Sequence, residues 1–213
     1  MRQACSSEIR SIYDRVRKHA SSHLVSVETA LKAVSTLQHS KKMGDLTEAA
    51  QALVELTKDS IELCNKLVQT DALNVFFSLI QSCNRSAAHQ ELLKNCLATV
   101  EHIAAKKTFG CQVAQVDEAI EILLDILQLF RDKKVVFISA CNVLHACVRT
   151  SSNARSKCEG SDFRKRLDGI RLIMDRKARL DSRLQSLKAG SASSENDALE
   201  SIDRLLRSMS QHC

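Results

Sequence analysis

The chain has 213 residues and a formal net charge of +6, with no proline, no tryptophan, five glycines and 3% aromatic residues. Proline and glycine interrupt helices, and sheets draw on aromatic and β-branched side chains, so this composition points to helices packed through Leu, Ile, Val, Ala and Cys. No apolar run approaches the ~18 residues that span a bilayer. The start, Met1 to Tyr13, is polar rather than leader-like, and five of the nine cysteines (Cys64, Cys83, Cys96, Cys141 and Cys147) fall on apolar helical faces, so a soluble, intracellular all-α protein with reduced thiols is expected.

An opening helix is expected over Ser7 to about His19, with Ile9, Ile12, Tyr13 and Val16 on one face, and a second over Leu24 to Gln38. Lys41-Lys42-Met43-Gly44 reads as the end of that second helix, a basic last turn followed by glycine. Asp45-Leu46-Thr47-Glu48 has the form of a capping box opening a helix whose inner face is Ala49, Ala52, Leu53 and Leu56, with a break near Asp59. A short helix from Ser60 to Val68 leads to one capped by Thr70 or Asp71. Ser86 then caps a long helix with Leu93, Cys96, Leu97, Val100 and Ile103 inward. Gly110 opens a short turn, Asp117 caps the next helix, and Val135 to Val148 forms its partner. Beyond Ser151-Ser152-Asn153 lie a short turn and a helix from Asp162 to about Asp175, continuing with a bend to Leu187. Residues 189–194 form a Gly/Ser linker, and a last amphipathic helix carries Leu199, Ile202, Leu205 and Leu206.

Two of these segments repeat. Ala72 to Gln81 and Ala119 to Gln128 match in apolar pattern at an offset of 47. Ala49, Ala52, Leu53 and Leu56 align with Leu93, Cys96, Leu97 and Val100 at 44, and those align with Ala140, Val143, Leu144 and Cys147 at 47. A period of roughly 40–47 residues filled by helices marks an armadillo or HEAT solenoid, and the short helix before each pair favours the three-helix armadillo unit. The expected fold is therefore a right-handed α-solenoid of armadillo/HEAT-like repeats. Units fall near 7–57, 59–107, 109–150 and 152–188, the linker follows, and residues 195–213 form a capping helix docked around Leu180, Leu184 and Leu187.

Solenoids hold partners on long surfaces and seldom carry chemistry. There is no Gly-x-Gly-x-x-Gly, no Gly-Lys-Ser/Thr and no carboxylate pair in a plausible cleft, so no enzyme, cofactor or small-molecule substrate is expected. Cys141, His145 and Cys147 lack a fourth metal ligand nearby, and read as two core thiols beside an edge histidine. Residues 131–190 hold 15 Lys/Arg against 6 Asp/Glu. Within them Arg155, Lys157, Arg164, Lys165, Arg166, Arg171, Arg176, Lys177, Arg179 and Arg183 form a candidate basic surface for an acidic partner, with a solvated outer face as the plain alternative. Ile9 to Lys18 weakly resembles an IQ motif. Candidate groove positions are Glu55, Asn95, Thr99, Asn142 and His145. In peptide-carrying armadillo proteins such as the importins, an asparagine lies two residues after the third-helix leucine. Here those positions are Glu55, Thr99 and Ala146, so nuclear-signal-type binding is not expected.

Leu79-Ile80-Gln81-Ser82-Cys83-Asn84-Arg85-Ser86 resembles a stretch near the C-terminus of the abnormal spindle family, the microcephaly-associated spindle proteins. The resemblance continues through Ala119 to Lys133 and returns at Asn196 to Ile202. It implies the C-terminal armadillo-like domain of a mitotic spindle-pole protein that focuses microtubule minus ends, without that family's calponin-homology domains and IQ array. The partners it implies are other spindle-pole and minus-end proteins, with tubulin a further candidate, and calmodulin upstream of this segment. The localisation it implies is cytoplasm, cytoskeleton and spindle pole, with the nucleus in interphase. Neither a membrane nor a cofactor is expected.

Overall fold

The computed structural model describes residues 26–106, 109–186 and 196–210. Eleven helices, and no strand, lie among these residues: α1 (26–39), α2 (Met43–Lys58), α3 (Ile61–Val68), α4 (Ala72–Ser82), α5 (Ala87–Ala105), α6 (Gly110–Gln115), α7 (Ala119–Leu129), α8 (Lys134–Thr150), α9 (Ser152–Glu159), α10 (Ser161–Ser186) and α11 (Asn196–Ser210). The expected opening helix, the IQ-like stretch and the 189–194 linker lie outside the described residues. No single described helix is long and apolar enough to cross a membrane.

Apolar spacing sets the packing. In α4 the buried positions Ala72, Leu73, Val75, Phe76, Phe77 and Ile80 are matched 47 residues on in α7 by Ala119, Ile120, Ile122, Leu123, Leu124 and Leu127, all buried. α7 packs on α4, and α10 on α7. The longer helices make a second row, with α5 against α2, α8 against α5 and α11 against α8. Neighbours in this row run parallel. Thr57 in the last turn of α2 meets His102 in the last turn of α5, and Lys134 opening α8 pairs with Asp197 opening α11. The short helices α3, α6 and α9 bridge the rows, each touching the long helix that follows it.

Four local expectations need correction. Asp45 does not open α2, whose N-cap is Lys42, and Gly44 sits inside the first turn. The Asp45 carboxylate instead accepts from Ser40 Oγ at 3.0 Å, while Ser40 Oγ accepts from the Lys42 N–H at 3.2 Å, so these residues clasp the α1–α2 turn. The residue before α7 is Glu118 rather than Asp117, and it takes a left-handed backbone (φ 56°) that turns the chain into the helix. α10 is one continuous helix of 26 residues, with no break in it near Asp175.

The fourth correction concerns α11, which packs chiefly on α8 and not on the expected end of α10, where Leu180 remains 59% exposed. The side chain of Leu184 and all of Leu187 lie outside the described residues. The buried residues of α11 begin Ala198, Ser201, Ile202 and Leu205, which repeats the spacing of Ala140, Val143, Leu144 and Cys147 in α8 at an offset of 58.

Gly110 is fixed by contact. A Cβ there would meet Thr150 Oγ1 at 2.5 Å and the Ala146 carbonyl oxygen at 3.0 Å, and Thr150 Oγ1 is itself bonded to that carbonyl at 2.8 Å. Gly110→Ala is therefore expected to destabilise by about 1–3 kcal/mol, as overpacking does, despite alanine's better helix propensity. Thr150→Ala in the same chain should recover part of that loss, a coupling that chemical denaturation of the two single variants and the double variant will measure.

Candidate functional site

The helices α2, α5, α8 and α11 pack one on the next in a row. Of the groove positions expected there, Glu55 is exposed on α2, and His145 and Asn142 are half-buried on α8. Thr99 is fully buried, its hydroxyl donating to the Asn95 carbonyl at 3.0 Å. Asn95 is only 6% exposed, and its Nδ2 finds no hydrogen-bond partner among the described residues. Thr99 and Asn95 thus lie buried within the helix packing rather than exposed on a surface. Asn142 Nδ2 donates to Glu101 Oε1 at 2.7 Å and so ties α8 to α5.

His145 lies between α8 and α11. Partial burial first, then the charges of Arg149 on its own helix and Arg204 on α11, hold its pKa below the usual histidine range. A depressed folded pKa means the unfolded chain takes up this proton first as pH falls. Stability should then be fully retained above the ordinary histidine range and drop as pH is lowered through that range towards the folded pKa. His145→Gln is expected to flatten that part of a melting-temperature-against-pH curve between about pH 7 and 5.

The thiols are core groups. Cys141 and Cys147 are buried, and desolvation pushes the Cys141 thiol up and the Cys147 thiol up to about 12. Burial also raises Cys83 to about 11 and Cys158 to about 12. Nucleophilic or metal-binding cysteine requires the thiolate, so these cysteines act as small apolar side chains. No group of three or more His, Cys, Asp or Glu able to hold a metal ion occurs among the described residues.

The basic segment is divided among several tasks. Arg155 Nη2 donates to the Val148 carbonyl at 3.1 Å, pinning α9 against the end of α8. Lys157 pairs with Glu121 at 3.8 Å, and Arg166 bonds Asp125 and Gln128, fastening α9 and α10 to α7. Arg171 pairs with Asp203, joining α10 to α11, and Arg179 pairs with Asp175 at 2.9 Å along α10. Arg164, Lys165, Arg176 and Lys177 are exposed on α10. The Arg183 side chain lies outside the described ones. Exposed pairs of this kind are worth about 0–1 kcal/mol each, so they fix helix orientation more than stability. The sequence count of positive charge gave no sign of these carboxylate partners, three of them 32–41 residues away.

No protein-family model matches the chain. It is similar to the abnormal spindle-like microcephaly-associated protein homolog of Canis lupus familiaris, at 28% identity over 151 residues (67% of this chain and 4% of that protein). The homolog of Felis catus is 28% identical over 162 residues (72% and 5%). The abnormal spindle-like microcephaly-associated protein of Homo sapiens is 30% identical over 123 residues (54% and 4%). The chain thus spans about one twentieth of the length of these relatives, and the resemblance read from residues 79–86 and 119–133 is borne out as sequence homology.

Proposed function

We propose that this chain is a non-catalytic protein-interaction module of a mitotic spindle-pole, microtubule-associated protein, which helps place that protein at the pole and focus microtubule ends there. Homology to spindle-named proteins supports the spindle setting. The observation that carries the scaffold reading is the row α2–α5–α8–α11, four parallel helices in side-by-side contact. We read this row as the third helices of four armadillo-like units, with α11 completing the fourth unit rather than capping it. Such stacking buries each unit on its neighbours and leaves one long face for a partner.

Its partners on this reading are other proteins of the spindle pole and minus end, and its compartment is the cytoplasmic cytoskeleton, with the nucleus in interphase. Deleting residues 26–210 from the full-length protein should abolish its recruitment to poles and leave poles splayed. Unchanged recruitment in fixed mitotic cells would overturn the reading. Direct binding of tubulin's acidic tails or of nucleic acid through residues 155–183 is the second reading, favoured by the exposure of Lys165 and Arg176 on α10. It is weakened because Lys157, Arg166, Arg171 and Arg179 already hold carboxylates of the chain itself. Steep loss of microtubule co-sedimentation with added salt would favour it.

A further inference from the structure

The second half of α10 stands clear of the core. Phe163, Leu167 and Ile170 are buried in the first half, and beyond the partly buried Met174 no described side chain of the helix is buried. Leu172, Ile173 and Leu180 are nevertheless apolar, and each is about half exposed. Leu180 was expected to receive α11, which packs elsewhere. At about 100° per residue, these three share one stripe with Lys165, Gly169 and Arg176. The stripe is about 100° wide and lies about 140° round the helix from Phe163, Leu167 and Ile170. A Cβ built on Gly169 would meet nothing within 4 Å, so a neighbour can approach the backbone there.

The cations of α10 divide along the same line. Arg166 is held by Asp125 and Gln128, Arg171 by Asp203 and Arg179 by Asp175. Arg164 and Lys177 also have partners. Lys165 and Arg176, which fall within the stripe, make no ion pair among the described residues. Between Lys165 and Leu180 no carboxylate falls in the stripe. Asp168 and Asp175 lie to one side of it, where their charges reach Arg171, and Asp162 bounds it in the first turn.

We propose that this stripe receives an acidic amphipathic helix of a partner protein. The apolar side of that helix seats on Leu172, Ile173 and Leu180, and its flanking carboxylates answer Lys165 and Arg176. The proposal rests on the interaction-module reading above and adds to it a surface apart from the row α2–α5–α8–α11. An acidic partner follows from the charge that the chain leaves unanswered. A second copy would bring another α10, with seven Lys/Arg against three Asp over residues 161–180. Residues 1–25 hold five Lys/Arg against two Asp/Glu. Both would meet the stripe with like charge, which is costly at an interface. A membrane surface takes up a helix whose apolar face is free of charge, whereas here Arg176 stands within the stripe and needs a carboxylate opposite it.

The test uses the 213-residue chain and a fluorescein-labelled peptide of three Leu-Ala-Ala-Leu-Glu-Ala-Glu repeats, read by anisotropy. A second peptide carries lysine in place of glutamate, and a third is hexaglutamate. The acidic amphipathic peptide should bind at least tenfold tighter than either. Leu172→Ala with Leu180→Ala should weaken it about tenfold, and Lys165→Glu with Arg176→Glu should reverse the preference in favour of the lysine peptide. Ile61→Ala, at an exposed apolar residue of α3, should change nothing. All these side chains are exposed, and unchanged melting will confirm that the variants fold.

Absent binding, equal affinity for the acidic and lysine peptides, or binding that the stripe variants leave unaltered would overturn the proposal. Hexaglutamate binding as tightly would also overturn it and give the surface to the polyanion reading. Self-association that Leu172→Ala/Leu180→Ala abolishes in sedimentation would name a second copy as the occupant instead. Displacement of the peptide by vesicles of phosphatidylserine and phosphatidylcholine would name a membrane. The 26–210 deletion separates the two levels. If it fails to reach the poles while the peptide does not bind, the stripe proposal fails and the module reading stands. If the deletion reaches the poles, the module reading fails whatever the peptides do.

Discussion

A chain ended after Ala189 should melt on the order of 10 °C below the intact chain and self-associate. The stability comes from α11, which inserts Ile202, Leu205 and Met209 into the core, each worth roughly 1.5–3 kcal/mol when buried. In a protein of this size each kcal/mol moves the melting temperature by about 2–4 °C. The lost ion pairs Arg171–Asp203 and Lys134–Asp197 are exposed and add little. The association follows because the surface laid bare is the flank of α8, not the end of α10. Leu180→Lys, at a site already in solvent, should by contrast leave melting within about 0.5 kcal/mol of the parent. Calorimetry and sedimentation of the shortened chain decide the matter. Unchanged melting with a monomeric species would show that α11 adds nothing to the core.

Most helices could be read from the chain because their cause is local. Leu93, Cys96, Leu97, Val100 and Ile103 recur at helical spacing with Ser86 before them, and α5 begins at Ala87 and buries every one of them. The 47-residue match between α4 and α7 carried through to six matching buried positions for the same reason. The capping error at Asp45 arose because its side chain has a competing partner across a turn. Asp45 and Glu48 have the spacing of a capping box, yet Asp45 is claimed by Ser40.

α11 was misplaced because the connection before it shifts the offset from 47 to 58 and a serine, Ser201, occupies a position that is apolar in α5 and α8. The usable signal was the spacing Ala198, Ser201, Ile202, Leu205, which repeats that of α8. The basic segment failed differently. Its charges were plain in the sequence, but Asp125, Glu121 and Asp203 answer them from other helices, and only the packing of α7, α10 and α11 brings those groups together.

The buried leucines of the long helices supply the sharpest test of that packing. Leu97 has no exposed surface and sits on α5, which packs on α2 on one side and α8 on the other. Leu97→Ala removes three carbons from a site closed on both flanks, where little collapse can fill the gap, so a cost of about 2–5 kcal/mol is expected. That corresponds to a fall in melting temperature of roughly 5–15 °C. Leu172→Ala on α10, where the side chain is half exposed, removes the same atoms and should cost no more than about 0.5 kcal/mol. In a stack held by nearest-neighbour contacts the damage from Leu97 should also spread to both adjacent helices. Hydrogen exchange ought therefore to quicken in α2 and α8 as well as in α5, while α10 stays protected as before. Loss confined to α5, or equal costs for Leu97→Ala and Leu172→Ala, would mean that the long helices do not form a continuous row.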